Sequence, residues 1–236
     1  MNITKKDKFG RIHVSGIVSE NPLTASYLYA IGTQSVFPVI AEVNLGNQKE
    51  ILGNGTAFIY KQLIYENFSE IFLFTNLHVI QVINNAYNLY LTTNNAEINF
   101  FLKFKNQNIP IKEVFIPKGI YFQFVTKYGL FSYLDFAIIK IKIDSTEPLE
   151  FFSIKSNKDE VLKEGSKIYA LGYPEHLNLS ISDGIISHIY SDNEEILTGE
   201  IDHKNTIQHN ILINPGNSGG PTINEYGNII GISTYH

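Results

Sequence analysis

From Ser35 onward the chain alternates short apolar runs with clusters of Asn, Gly and Lys. The runs are rich in β-branched and aromatic side chains, which is typical of strands separated by turns. This pattern favours an all-β fold. We predict strands at Ser35–Val43, Thr56–Tyr60, Ile71–Thr75, Tyr87–Leu91, Ile98–Leu102, Phe136–Ile141, Lys167–Leu171, Gly184–Ile189, Ile211–Ile213 and Ile229–Thr234.

Three segments follow from the same pattern. Residues 1–33 have no clear period, so we interpret them as an N-terminal extension. The stretch Asp144–Pro148 is polar and contains a proline, which predicts a boundary between two β units. We therefore expect units at 34–145 and 146–236, and one helix at His78–Ala86 in the first.

The composition of the chain limits the kinds of binding partner that we expect. The 236 residues are 44% hydrophobic, which is enough for a substantial core. A net charge of -5 leaves no basic surface to collect phosphates, so we expect no nucleic-acid partner. There is no cysteine, hence neither disulfides nor thiolate metal sites. Because we find neither a secretory signal nor a membrane-spanning run, we predict a cytoplasmic protein with no membrane partner.

Three glycines and two prolines surround Ser218 in the stretch Ile213–Thr222, INPGNSGGPT. Glycine is selected where the backbone needs positive φ or close approach, so this serine lies on a specially shaped loop. A serine hydroxyl becomes a nucleophile when a histidine takes its proton and a carboxylate orients that histidine. His78 is the best candidate base because it follows the apolar run ending at Thr75. The other histidines that we considered have polar or terminal neighbours: His13, His188, His203, His209 and His236.

Asp135 is the best candidate acid because apolar residues surround it in the stretch Tyr133–Ile139. A buried carboxylate costs several kcal/mol unless it is paired, and an imidazole N–H would pair it. The aspartates at 144, 159, 183, 192 and 202 lie in turn-like contexts, where a carboxylate caps or stays hydrated.

The order His78, Asp135, Ser218 separates three kinds of serine hydrolase. A nucleophile elbow, G-x-S-x-G, needs the acid and the histidine after the serine, and no aspartate follows Ser218. A subtilisin order would require Asp7 as the acid. The observed order is that of chymotrypsin. A metal hydrolase is a distant alternative because H-E-x-x-H is absent, and we expect neither a metal nor a cofactor.

Six motifs together resemble the trypsin-like serine proteases of the bacterial HtrA/Deg and glutamyl endopeptidase branch, over about residues 35–236. They are Gly53–Phe58, Thr75–Val79, Asp135–Lys140, Ala170–Pro174, Asp183–Ser187 and Asn214–Pro221. The resemblance implies the chymotrypsin fold, two antiparallel six-stranded β-barrels with the active site in the cleft between them. It also implies hydrolysis of polypeptides through an acyl-enzyme.

Carried over to this chain, the resemblance makes Ser218 the nucleophile, His78 the general base and Asp135 the orienting acid. The N–H groups of Gly216 and Ser218 would form the oxyanion hole. It also implies a specificity pocket with its base at Leu212 and Ile213 and its walls at Thr234, Tyr235 and His236. Because leucine offers no charge partner, we expect an uncharged residue before the scissile bond.

The chain departs from the family at four points. Ser233 replaces the histidine of glutamyl endopeptidases, and Asn217 replaces the aspartate that digestive trypsins use for activation. The stretch from His78 to Asp135 is long, which predicts extended loops. After His236 the family adds a strand, so we expect a second barrel without its last strand. That ending leaves room for an additional domain or partner beyond the C-terminus, and for an alternative function, a catalytically silent binding or scaffold module.

Overall fold

The computed structural model describes residues 4–17, 19–45, 48–81, 97–105, 107–116, 123–126, 129–132, 135–154, 162–176, 178–190 and 206–234. The elements are β1 (Thr4–Lys6), β2 (Ile12–Val14), α1 (Ala25–Ser35), β3 (Val36–Leu45), β4 (Gln48–Ile64), β5 (Ser69–Thr75), β6 (Glu97–Phe104), β7 (Gln107–Pro110), β8 (Glu113–Phe115), β9 (Gln123–Thr126), β10 (Gly129–Ser132), β11 (Ala137–Ile143), β12 (Lys167–Gly172), a 3₁₀ turn (Pro174–His176), β13 (Ser180–Ile189), β14 (Ile207–His209), β15 (Pro221–Asn224) and β16 (Ile229–Ile232). Strands dominate, so the all-β prediction is confirmed.

The first sheet closes into a barrel. Its strands pair in the order β7-β6-β3-β4-β5-β11-β8, and the neighbours are antiparallel. Only Ile111 and Lys112 separate β7 from β8. These two short strands therefore continue one path, which joins β6 at one end of the sheet to β11 at the other. A closed path removes the unpaired edges that an open sheet presents.

Alternating side chains build the core of this barrel. Buried and half-buried residues alternate along β5 and along most of β11. Leu73 and Ile139, which are paired neighbours in these strands, are both fully buried. This period of two places one face of each strand against the core. His78 lies just after β5, and Asp135 lies just before β11.

The second sheet has five strands in the described part of the chain, in the order β14-β13-β12-β15-β16. The outer strands, β14 and β16, are its two edges. Its inner face buries the side chains of Ile168, Ile186, Ile211 and Ile213, with Ile207 and Ile230 only partly covered. The described residues thus form two curled antiparallel sheets, of which the first is closed, and a separate pair of strands, β9 and β10.

The N-terminal segment contacts both sheets. β2 pairs with the end of β4 in the first sheet. Helix α1 begins after Thr24, whose hydroxyl accepts from the Tyr27 N–H, and it buries Leu28 and Ile31. These two side chains lie in a core shared by both sheets, with Phe58 from the first and Leu171 from the second. The segment that we predicted as an extension therefore packs into the fold.

Several local predictions need correction. The predicted strand Ile211–Ile213 is irregular. The strand in this region is β14, which begins four residues earlier. Helix α1 and the strand β15 were not predicted. Residues 77–81 are helical, and the rest of the predicted helix and Tyr87–Leu91 lie outside the described residues.

The change from one core to the other falls at two adjacent residues, Phe151 in the first barrel and Phe152 in the shared core. The domain bounds stay a prediction. A search of the described helices finds none with the length and apolarity needed to cross a bilayer.

Candidate active site

His78 is presented by an apolar strand and a short helical turn. β5 ends at Thr75, and residues 77–81 form the turn. Leu77, Val79 and Ile80 are almost fully buried and anchor this turn in the first core. The His78 side chain points away from that core and is 35% exposed. The ring is therefore held in place by its neighbours but remains open to solvent.

Asp135 binds His78 with both carboxylate oxygens. Oδ2 lies 2.5 Å from His78 Nδ1, and Oδ1 accepts from the backbone N–H of His78 at 2.8 Å. The Asp135 side chain is 9% exposed, so the pair is shielded from water on the acid's side. A carboxylate at Nδ1 fixes the tautomer that carries its proton on Nδ1 and leaves Nε2 as a proton acceptor.

Asn76 supports this pair, although our sequence analysis did not assign it a role. Its Nδ2 donates to the backbone oxygen of Asp135 at 2.7 Å and to Thr234 Oγ1 at 3.0 Å. Asn76 is fully buried. Its position between the apolar run and His78 was the available signal, because a buried amide needs partners. Thr234, predicted as a pocket wall, therefore lies beside the backbone of the acid.

The loop around Ser218 lies against the first barrel next to His78. The Ser218 carbonyl accepts from the Thr56 N–H at 2.8 Å. Gly219, at φ +87°, approaches so closely that a Cβ would lie 2.5 Å from Thr75 Oγ1 and 3.0 Å from the Asn76 N atom. Only glycine fits there. In the described residues the Ser218 hydroxyl makes no direct hydrogen bond to the His78 ring, a separation common in ligand-free enzymes.

The backbone N–H groups of this loop fall into two sets. Those of Asn217, Gly219 and Gly220 donate to the carbonyls of Asn214, Ser233 and Asn217, respectively. Within the described residues, the N–H groups of Gly216 and Ser218 donate to no acceptor. These are the two groups that we predicted for the oxyanion hole.

Two further hydrogen bonds orient the free N–H groups. The carbonyl of Pro215 accepts from Glu175 N at 2.8 Å, and the carbonyl of Asn217 accepts from Gly220 N at 2.9 Å. Because the peptide unit is planar and trans, each bond also fixes the direction of the following N–H, those of Gly216 and Ser218. Gly216 adopts φ +98°, a conformation that other residues rarely adopt.

The predicted specificity residues have different environments. The Leu212 side chain is 73% exposed and is not enclosed by the described residues, whereas Ile213 is 7% exposed and belongs to the second core. Tyr235 and His236 lie outside the described residues. Ser233 is buried, with its hydroxyl 3.2 Å from that of Thr222.

The backbone of Tyr173 lies beside Gly216, and its side chain is a neutral phenol. Burial raises the pKa of Tyr173 to about 12, with a smaller contribution from nearby Tyr29. Its hydroxyl donates to the Val36 carbonyl at 3.2 Å. In the part of the chain that the structure covers, no cluster of three or more His, Asp or Glu side chains could hold a metal ion.

The chain is similar to several known proteins. The family model described as "Trypsin-like peptidase domain" matches residues 55–232. The serine endoprotease DegS of Haemophilus influenzae is 36% identical over 100 residues, which are 42% of this chain and 27% of that protein. Serine protease HTRA4 of Mus musculus is 37% identical over 103 residues, 43% of this chain and 20% of that protein. The aligned region is thus a minor part of these relatives.

A probable periplasmic serine endoprotease, DegP-like, of Chlamydia pneumoniae is 38% identical over 109 residues, 46% of this chain and 20% of that protein. Among solved structures, the crystal structure of Deg5 superposes with a TM-score of 0.56 at 22% identity, over 89% of this chain and 83% of the other. At that identity the likeness shows the fold alone, and it confirms the predicted two-barrel architecture.

Proposed function

Since the chain belongs to the trypsin-like peptidase domain family, we propose that it is a serine endopeptidase that cuts polypeptides with Ser218, His78 and Asp135. The observation that carries this proposal is the pairing of Asp135 with both the ring and the backbone of His78. A carboxylate buried in this way orients a histidine, and the loop of Ser218 packs beside that histidine.

The reaction follows from the tautomer of His78. With its proton on Nδ1, the ring accepts the Ser218 hydroxyl proton at Nε2 as the oxygen attacks the substrate carbonyl. His78 then returns that proton to the leaving amine, and an acyl-enzyme remains on Ser218. Water, activated by the same ring, releases the acid product. Asp135 stabilises the imidazolium that forms in each half of the cycle.

The free N–H groups of Gly216 and Ser218 would stabilise the oxyanion. Donors without a protein acceptor are available to a developing negative charge, and their fixed direction means that no reorganisation is needed when the charge appears. Loss of one such donor costs about 3 to 4 kcal/mol of transition-state stabilisation in comparable enzymes. This part of the proposal is supported by the hydrogen-bond pattern of residues 214–220.

A fluorophosphonate probe tests the nucleophile on the full chain. We expect labelling of the wild-type protein, and loss of labelling in Ser218→Ala and His78→Ala. Ser187→Ala is the control, because this serine is exposed on β13 away from the loop, and it should label like the wild type. A folded wild-type protein that does not label would instead support a silent binding module of the same fold.

The substrate preference is a separate part of the proposal. We propose an uncharged residue before the scissile bond, since Leu212 and Ile213 supply no charge to pair with a buried cation or carboxylate. Cleavage of a peptide library measures this preference. A profile dominated by Lys, Arg or Glu before the cut would overturn it. The cytoplasmic location also stays a prediction, to be tested by cell fractionation.

A further inference from the structure

Thr56 is a fully buried residue of β4, in the first barrel, and it contacts the serine loop. Its N–H donates to the Ser218 carbonyl at 2.8 Å. Its hydroxyl donates to the Gly216 carbonyl at 2.7 Å and accepts from the Tyr173 N–H at 3.1 Å. Thr56 therefore binds the carbonyls of the two residues whose own N–H groups are free.

We propose that Thr56 is a positioning residue, which holds the oxyanion loop in its active shape from the opposite barrel. The inference rests on the proposed function, because it assigns a role in the same reaction. It goes further by naming a hydroxyl outside the triad and outside the loop. Thr56 would not touch the substrate, and its effect would pass through Gly216 and Ser218.

The loop needs such a restraint because of its composition. Gly216 has no side chain to limit its backbone, and its φ of +98° is one of many conformations open to glycine. The bond from Thr56 fixes the peptide unit between Gly216 and Asn217, and the backbone bond fixes the unit between Ser218 and Gly219. The bonds from Glu175 and Gly220 fix the two other units. All four peptide units from Pro215 to Gly219 are therefore held.

Thr56 also links the loop to the histidine. Its carbonyl accepts from Thr75 Oγ1 at 2.7 Å, and Thr75 is the last residue of β5, three positions before His78. A single residue thus connects the strand that delivers the base with the loop that delivers the nucleophile. Displacements of about 1 Å in a reacting group can cost about 100-fold in rate, so this register matters for catalysis.

A hydroxyl is required at this position, and the shape of the side chain alone is not sufficient. Valine has nearly the same volume as threonine but would leave the Gly216 carbonyl and the Tyr173 N–H without their partner. Serine keeps the hydroxyl and loses only a methyl group. The pair Thr56→Val and Thr56→Ser therefore separates hydrogen bonding from packing.

Ser69→Ala provides a matched control. Ser69 is fully buried in the first barrel, donates to the Ser145 carbonyl at 2.6 Å and accepts from Gln62 Nε2 at 3.2 Å. Its hydroxyl thus makes the same two kinds of hydrogen bond as that of Thr56, but at the opposite end of β5 from His78. If Thr56→Val acts only by lowering the stability of the fold, Ser69→Ala should have the same effect on activity.

The experiment measures kcat and KM for a peptide substrate, and amide hydrogen exchange of residues 214–220. We expect Thr56→Val to lower kcat about 10- to 100-fold with KM within about twofold of the wild type, because only the transition state uses the oxyanion donors. Thr56→Ser should recover most of kcat. Exchange in the loop should be faster in Thr56→Val and unchanged in Ser69→Ala.

The outcomes are distinguishable. If Thr56→Val matches Ser69→Ala in both kcat and loop exchange, or if its whole loss is in KM, the positioning role is wrong. If the wild-type protein neither cuts peptides nor labels, the proposed function fails. The exchange measurement then still decides whether Thr56 holds the loop.

Discussion

The two sheets of this molecule differ in how they are closed, and the two halves of the candidate active site are divided between them. The first sheet returns on itself through β7 and β8. In the described residues the second sheet ends at β14 on one side and at β16 on the other, where the Ile229 N–H donates to the Ser153 carbonyl at 2.7 Å. His78 and Asp135 belong to the closed barrel, whereas Ser218 belongs to a loop of the open sheet. His78 and Asp135 thus lie on one sheet, and Ser218 lies on the other.

This difference between the two sheets indicates which contacts hold the serine loop in place. Contacts from the first barrel, above all those of Thr56, hold the loop on one side. A core shared by both sheets and α1 holds the second sheet on the other side, with Phe152 and Leu171 at its centre. The arrangement of the open sheet therefore depends on contacts with the first barrel and the shared core, whereas the closed barrel is held by pairing among its own strands.

The largest expected effect comes from removing one reactive group from each sheet. His78→Ala and Ser218→Ala should each lower kcat about 10⁶-fold, because base and nucleophile act as one unit. The double variant should lose no more than either single one. Peptide hydrolysis by the three variants measures this. Losses that multiply in the double variant would mean that the two sheets contribute separately, which contradicts a shared proton transfer.

The packing of the two sheets can be compared with the same substitution in each. Ile139 is fully buried in β11, whereas Ile230 in β16 is only partly covered. We expect Ile139→Ala to lower the free energy of unfolding by about 4 kcal/mol and Ile230→Ala by about 1 kcal/mol, because the first leaves a cavity in a closed core. Denaturant titration gives both values. Equal losses would show that the open sheet is as tightly packed as the barrel.

The sequence predicted the elements whose signal is local. Apolar alternation gave β5 and β11, and the glycine pattern gave the loop of Ser218. His78 is predicted because it follows an apolar strand, and Asp135 because a carboxylate in an apolar context requires a partner. The structure then places them in contact across 57 positions of sequence.

The remaining parts depend on contacts between distant segments. Thr56 begins a predicted strand and lies in the motif Gly53–Phe58, but its hydrogen bond to the Gly216 carbonyl joins residues 160 positions apart and could not be predicted from the sequence. Helix α1 has only a weak apolar period, and it is stabilised by the shared core that it completes. The β-branched run Ile211–Ile213 has the stronger local signal for a strand. The segment that pairs with β13 is nevertheless β14, and this pairing between distant segments is not visible in the sequence.

The contact between the serine loop and the closed barrel can be tested with two glycines. Gly219 and Gly165 both have positive φ, +87° and +82°. A Cβ on Gly219 would lie 2.2 Å from the Thr56 oxygen, whereas one on Gly165 would meet nothing within 4 Å. We expect Gly219→Ala to lower the free energy of unfolding by about 3 kcal/mol, and Gly165→Ala by about 1 kcal/mol from backbone strain alone. Similar values from thermal unfolding would place the loop away from the barrel.

The smallest expected effect is a pH dependence confined to the edge of the open sheet. Burial lowers the pKa of His209 in β14 below its usual 6.5, and its Nδ1 accepts from the Ile211 N–H at 3.2 Å. Below pH 6.5 the unfolded chain binds this proton more readily than the folded chain, so the folded state loses stability until the pH passes the lower folded value. His209→Asn keeps an acceptor that does not titrate. From pH 7.5 to 5.5, the protection of the β14 amides, corrected for the intrinsic pH dependence of exchange, should fall more in the wild type than in this variant, with the corrected protection of β5 unchanged in both. If the two proteins respond in parallel, the edge strand is not the pH-sensitive part of the sheet, and the contrast between open and closed sheets would have to rest on packing alone.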